Sequence, residues 1–163
     1  MKNLLLGFLF VFSLTAFAVV TPSGISNHFD NTGTLQFKDS VDIMVKNGTG
    51  SSMAAGSLAA LDLTADDGAT VTTTTTLGDA SSLCIVVNAI AAGKVGPCRV
   101  YGYIANAQLD ATAGSSTAGA NAYASTTAGK VQGTTPGATL TPVGVFLDTS
   151  STSGDVELFV RIL

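Results

Sequence analysis

Apolar positions recur every second residue through most of this chain, in short runs separated by turn formers, which is the pattern of half-buried strands. Residues 40–46 place Val41, Ile43 and Val45 on one face, and Asn47-Gly48-Thr49-Gly50 follows as a strong turn. The alanines around residue 55 favour a helix by propensity, but Gly56 sits among them and no cap is present. A turn at Ala55-Gly56 leading into a strand over 57–63 is therefore expected. Asp66-Asp67-Gly68 turns the chain again, and residues 70–77 are β-branched almost throughout. That composition predicts an extended strand, placed by its hydroxyls at a sheet edge or on the solvent side.

Residues 83–89 form a near-continuous apolar run, the signature of a strand buried on both faces. Residues 98–105 alternate Arg99, Tyr101 and Tyr103 against Val100, Gly102 and Ile104. Short strands follow at 122–125, 130–132 and 143–147. In the last strand, 156–162, Val156, Leu158, Val160 and Ile162 face one way, with Glu157, Phe159 and Arg161 facing the other. Eight to ten short antiparallel strands with frequent turns predict an all-β fold, a small barrel or sandwich, over residues 39–163.

The N-terminus departs from this pattern. Residues 1–18 begin with Lys2, continue through an apolar run and end on Ala16-Phe17-Ala18, a small-x-small cleavage site for a secretory signal peptide. Residues 19–38 carry turn formers and little periodicity. They read as an irregular N-terminal arm that could add a strand to a neighbour.

Removing residues 1–18 leaves six basic residues against eleven acids, a net charge of about −5. Such a chain does not attract phosphates, so nucleic-acid binding is not expected. Only 11% of residues are charged, a low share for the surface of a free monomer and one that suits a protein covered by other protein subunits. Cys84 and Cys98 form an even pair in an exported chain, which favours a disulfide closing about 15 residues and worth about 3 kcal/mol. In a tight hairpin of 83–89 with 98–105, residue 84 would oppose a position near 104. The bond therefore needs a wide connection, with the cysteines crossing between sheets.

The candidate chemistry is sparse. His28, the single histidine, lies in the arm, and neither a G-x-S-x-G nor an S-x-x-K motif supplies a nucleophile. Zinc needs four ligands, and only His28 could join the two cysteines. Asp62, Asp66 and Asp67 lie close together, but Glu157 is the only glutamate and there is no tryptophan to line a sugar cleft. Asp-Asp-Gly is ordinary turn chemistry, with a weak calcium site as the alternative. Asn47-Gly48-Thr49 matches a glycosylation sequon. Tyr101 and Tyr103 read equally as a contact patch or as barrel lining. No enzyme activity, cofactor, metal or small-molecule substrate is expected.

Over residues 41–163, about three-quarters of the chain, the order of motifs resembles the small β-barrel head decoration, or capsid cement, proteins of tailed phages. The stretches that carry it are Met53-Ala54-Ala55-Gly56-Ser57-Leu58, Gly96-Pro97-Cys98-Arg99-Val100-Tyr101-Gly102, Ala118-Gly119-Ala120-Asn121-Ala122-Tyr123, Ala128-Gly129-Lys130 and Val143-Gly144-Val145-Phe146. The resemblance implies a virion protein that binds and stabilises an assembled shell, as a homo-oligomer of trimer type. The signal peptide departs from that family, whose shells mature in the cytoplasm. It favours the alternative, a secreted cell-surface, pilus-like or adhesive subunit.

Overall fold

The computed structural model describes residues 27–29, 35–37, 40–65, 67–133 and 140–162, none of them helical. The proposed cleavage site at Ala16 and Ala18 lies outside the described residues, as does Asp66. Within the stretch expected to be irregular, β1 (Asn27–Phe29) and β2 (Leu35–Phe37) form an antiparallel hairpin with His28 opposite Gln36.

The other nine strands form one sheet. They are β3 (Val41–Asn47), β4 (Leu58–Leu61), β5 (Thr70–Thr72), β6 (Ser82–Val86), β7 (Val95–Leu109), β8 (Asn121–Ala124), β9 (Val131–Gln132), β10 (Pro142–Phe146) and β11 (Gly154–Arg161). The strand pairings close into two five-membered rings that share β7. One runs β7–β3–β5–β4–β6 and back; the other runs β7–β9–β8–β10–β11 and back. A ring with an odd number of strands cannot be antiparallel at every step, because the strand direction must return to its starting sense. Each ring therefore contains one parallel pair, β3 with β5 and β7 with β9. The fold is thus the expected small all-β barrel, but the expectation of antiparallel pairing throughout fails at these two places.

The 15 residues of β7 make both rings possible. Its first half pairs with β3 and β6, and its second half pairs along β11. Tyr101 stands at the handover, opposite Val41 on one side and Arg161 on the other. Gly102, next to it, has φ +110°, a backbone conformation that side chains other than glycine rarely adopt. Gly56 serves the expected turn before β4. A Cβ on it would lie 1.7 Å from the Asn106 carbonyl oxygen, so only hydrogen fits where this turn crosses β7.

Two apolar cores follow from the two rings. Val45, Met53, Val71, Val86, Ile90 and Val100 pack with both cysteines in one. Ile104, Leu109, Val131, Phe146, Val156 and Leu158 lead the other. Strands β4 and β6 are the wall between them: Ala59, Cys84 and Val86 belong to the first core, and Leu58 and Ile85 to the second. A strand with a core on each side needs apolar residues at consecutive positions, which is why 83–89 reads as a continuous run.

The threonine tract behaves differently from its propensity. Only Thr70–Thr72 is strand, and it lies between β3 and β4 with Thr70 and Val71 buried, not at an edge. Beyond it, the Thr74 hydroxyl donates to Asp79 and accepts from the Thr76 amide. Local hydroxyl bonds of this kind compete with the ladder and fold the chain into a turn.

Candidate interaction surface

The acidic side chains are the natural place to look for chemistry, and in this molecule they hold turns. The Asp62 carboxylate accepts from the Thr64 amide and hydroxyl. Asp67 accepts from the Ala69 and Thr70 amides and from the Thr70 hydroxyl. These bonds favour the ionised form. The Thr64 hydroxyl holds Asp62 below the usual carboxylate range, and the Thr70 hydroxyl brings Asp67 down to about 2. A general acid needs the opposite shift. Among the described residues, no three His, Cys, Asp or Glu side chains gather as a metal site.

Asp110, which the sequence reading passed over, is the most developed of these pins. It is buried at the end of β7. Its Oδ1 accepts from the Thr112 hydroxyl at 2.6 Å, and its Oδ2 accepts from Ser125 at 2.7 Å and Thr127 at 2.5 Å. The Thr112, Thr127 and Ser125 hydroxyls, in that order, hold its pKa far below the carboxylate range. One carboxylate thereby ties the end of β7 to the turn between β8 and β9. The signal was present as the recurring pattern Asn/Asp-x-Ser/Thr, at Asn47-Gly48-Thr49, Asp62-Leu63-Thr64, Asp79-Ala80-Ser81 and Asp110-Ala111-Thr112.

The same chemistry answers the sequon. Asn47 is fully buried; its Nδ2 donates to the Ser51 and Ile90 carbonyls at 2.8 Å each, and its Oδ1 accepts from Thr49. A glycan on that nitrogen is incompatible with this fold.

Cys84 and Cys98 are joined in a disulfide, with Cα atoms 5.5 Å apart and both residues buried. The expected register was wrong. The strand after the turn begins at Val95, so Val86 opposes Cys98 and Ile85 opposes Arg99. Two positions further on, Cys84 stands diagonal to Cys98 on the same inward face. The bond thus spans one hairpin and crosses between no sheets.

What remains for function is the outer face of β3, β7, β11 and β10. The side chains of β7 alternate as expected, with Cys98, Val100 and Ile104 inward and Val95, Tyr101 and Tyr103 on the other side. Tyr103 opposes Phe159, which opposes Val145, so an apolar row crosses three strands. Tyr101 meets Phe159 edge to face at 5.1 Å between ring centroids. The face exposes large apolar side chains: Met44 is 63% exposed, Val95 61%, Leu147 45% and Tyr103 39%. In its middle Arg99 forms a two-pronged ion pair with Asp42, at 2.8 and 3.0 Å. Arg99 also donates to the carbonyl of Tyr103, four residues along its own strand. Four residues of straight strand span about 13 Å, beyond the reach of an arginine, so β7 bends sharply here. Of the two readings left open for Tyr101 and Tyr103, the structure places them on the outer face, with Tyr103 exposed and Tyr101 half-buried against Phe159.

No family model matches the chain, and no curated protein sequence matches it. Among solved structures it is similar to the head fiber gp8.5 N base of bacteriophage phi29, at 18% sequence identity and a TM-score of 0.50, over 76% of this chain and 95% of that one. At that identity the likeness is one of fold. The resemblance to phage head proteins drawn from motif order therefore meets a solved phage head structure built on a comparable fold.

Proposed function

We propose that this chain is a non-enzymatic structural protein of a phage virion, seated on the head through contacts with other protein subunits that it helps to hold together. The observation that carries this reading is the fold, shared along nearly the whole length of a phage head fiber base. The disposition of the side chains supports it. The described acids near Gly68 and at Asp110 are committed to turns, while the largest exposed apolar side chains include Met44 and Val95 on the outer face of β3 and β7. A protein that works by shape and contact needs rigid walls and a sticky face, and no reacting group. Mass spectrometry of purified particles tests the reading: the chain should be present in many copies, and particles lacking it would contradict the proposal.

A second reading keeps the same barrel and changes its address. Residues 1–18 resemble a secretory signal, and the Cys84–Cys98 disulfide is a bond that persists in oxidising compartments. Both favour an exported cell-surface or pilus-like subunit. Fractionation separates the two readings, since a surface subunit is recovered with the cell envelope and not with particles.

A further inference from the structure

The outer face of β7 is electrically two-ended. From the start of β7 to Tyr101 it carries Lys46, opposite Val95, and Arg161, opposite Tyr101. Both are exposed. The one ion pair among the described residues is Arg99–Asp42, so neither has an acid in contact. The chain as a whole has a net charge of −4, and of the other described basic residues Lys94 lies opposite the inward-facing Asn47 and Lys130 lies away from this face. Asp67 is within electrostatic reach of Lys46, but its carboxylate is committed to Thr70 and Ala69.

From Tyr103 onward the sign reverses. Glu157 and Asp148 both lie close enough to act on the Tyr103 hydroxyl. Asp155 stands opposite Gln108, whose amide donates to it at 2.6 Å. Exposed apolar side chains lie at both ends, Met44 and Val95 at the positive one, Tyr103 and Leu147 at the negative one.

We propose that this face pairs two copies of the chain, antiparallel about a two-fold axis, with the Lys46–Arg161 end of each copy on the Asp155–Glu157 end of the other. The complement that either end requires, an apolar stretch of opposite charge, is supplied by the other end of the same face. A two-fold axis satisfies both at once, because every contact in such an interface occurs twice. Parallel docking would set like charges together and is disfavoured. The proposal rests on the reading of the chain as a structural subunit and names one partner for its exposed face.

Sedimentation of the purified, oxidised chain tests it. The chain should form a dimer that weakens as salt is raised, because exposed charges are screened beyond about 10 Å at moderate ionic strength. Lys46→Glu with Arg161→Glu should raise the dissociation constant roughly a hundredfold, and so should Asp155→Lys with Glu157→Lys. Mixing these two monomeric variants should restore a dimer containing one of each, which also shows that both are folded. A chain that stays monomeric, a dimer indifferent to both reversals, or a mixture that fails to pair would each overturn the proposal. A monomeric chain still found in purified particles would overturn this pairing alone and leave the structural reading intact.

Discussion

The two rings share a strand, yet they are held shut by different chemistry. In the first, β6 meets β7 through only two opposed pairs, Ile85 with Arg99 and Val86 with Cys98, and the disulfide lies across that seam. In the second, β11 pairs along β7 from Tyr101 to Leu109, while β9 touches it at a single position, Leu109 with Val131. Beside that weak step stands Asp110 with its three hydroxyl donors. Each ring has one short seam along β7, and that seam carries a reinforcement. One is covalent and depends on redox conditions; the other is ionic and depends on pH.

That contrast can be broken one ring at a time. The largest effect should come from Cys84→Ala with Cys98→Ala. Losing a cross-link over a loop of about 15 residues costs about 3 kcal/mol, read from denaturant unfolding. Hydrogen exchange should then rise mainly in β3–β6, and an equal rise in β8–β11 would show that the rings do not open separately. Asp110→Ala comes next. It strands three hydroxyls that now donate to a carboxylate, at a cost of about 2 kcal/mol, and exchange should rise first in β8 and β9.

Acid should imitate the second change at Asp110, loosen the Asp67 turn of the first ring as well, and leave the disulfide intact. The folded-state pKa values of Asp67 and Asp110 lie below the unfolded value of 3.8, Asp67 at about 2. The folded protein therefore binds fewer protons than the unfolded chain in that range. The stabilisation is fully present above about pH 4 and drains away as pH falls toward about 2, and lower still for Asp110. Denaturant midpoints measured across this range should fall with pH, and the fall should be shallower in Asp110→Asn. The smallest effect belongs to Asp42→Ala, which removes a partly exposed ion pair in the first ring and should shift stability by no more than about 1 kcal/mol.

Much of the barrel was readable from alternation because alternation reports burial directly. The two faces of β7 and β11 and the doubly buried β6 are legible for that reason. The extent of β7 was not. Gly96, Pro97 and Gly102 look like strand breakers, and only the pairing with β3 and β11 keeps the chain extended through them. The parallel steps depend on ring closure, a property of the whole sheet that no local stretch records. The hairpin register was missed because the turn falls at Ala92-Gly93 and β7 begins at Val95, ahead of residue 98 where the second strand was expected to start. As for the interaction surface, Tyr101 and Tyr103 could be placed on a common face from sequence, but not whether that face pointed inward. The two-ended charge across β3, β7 and β11 needs the strand order, which sequence alone did not supply.

Hydroxyl-radical footprinting of the chain, free and in its assembled form on particles, tests most directly whether it works by docking this face. Met44, Tyr101 and Tyr103 should be labelled less in the assembly, while the turn at residues 62–68 is labelled alike in both. Unchanged labelling of Met44 and the two tyrosines, with protection confined to that turn, would contradict the account.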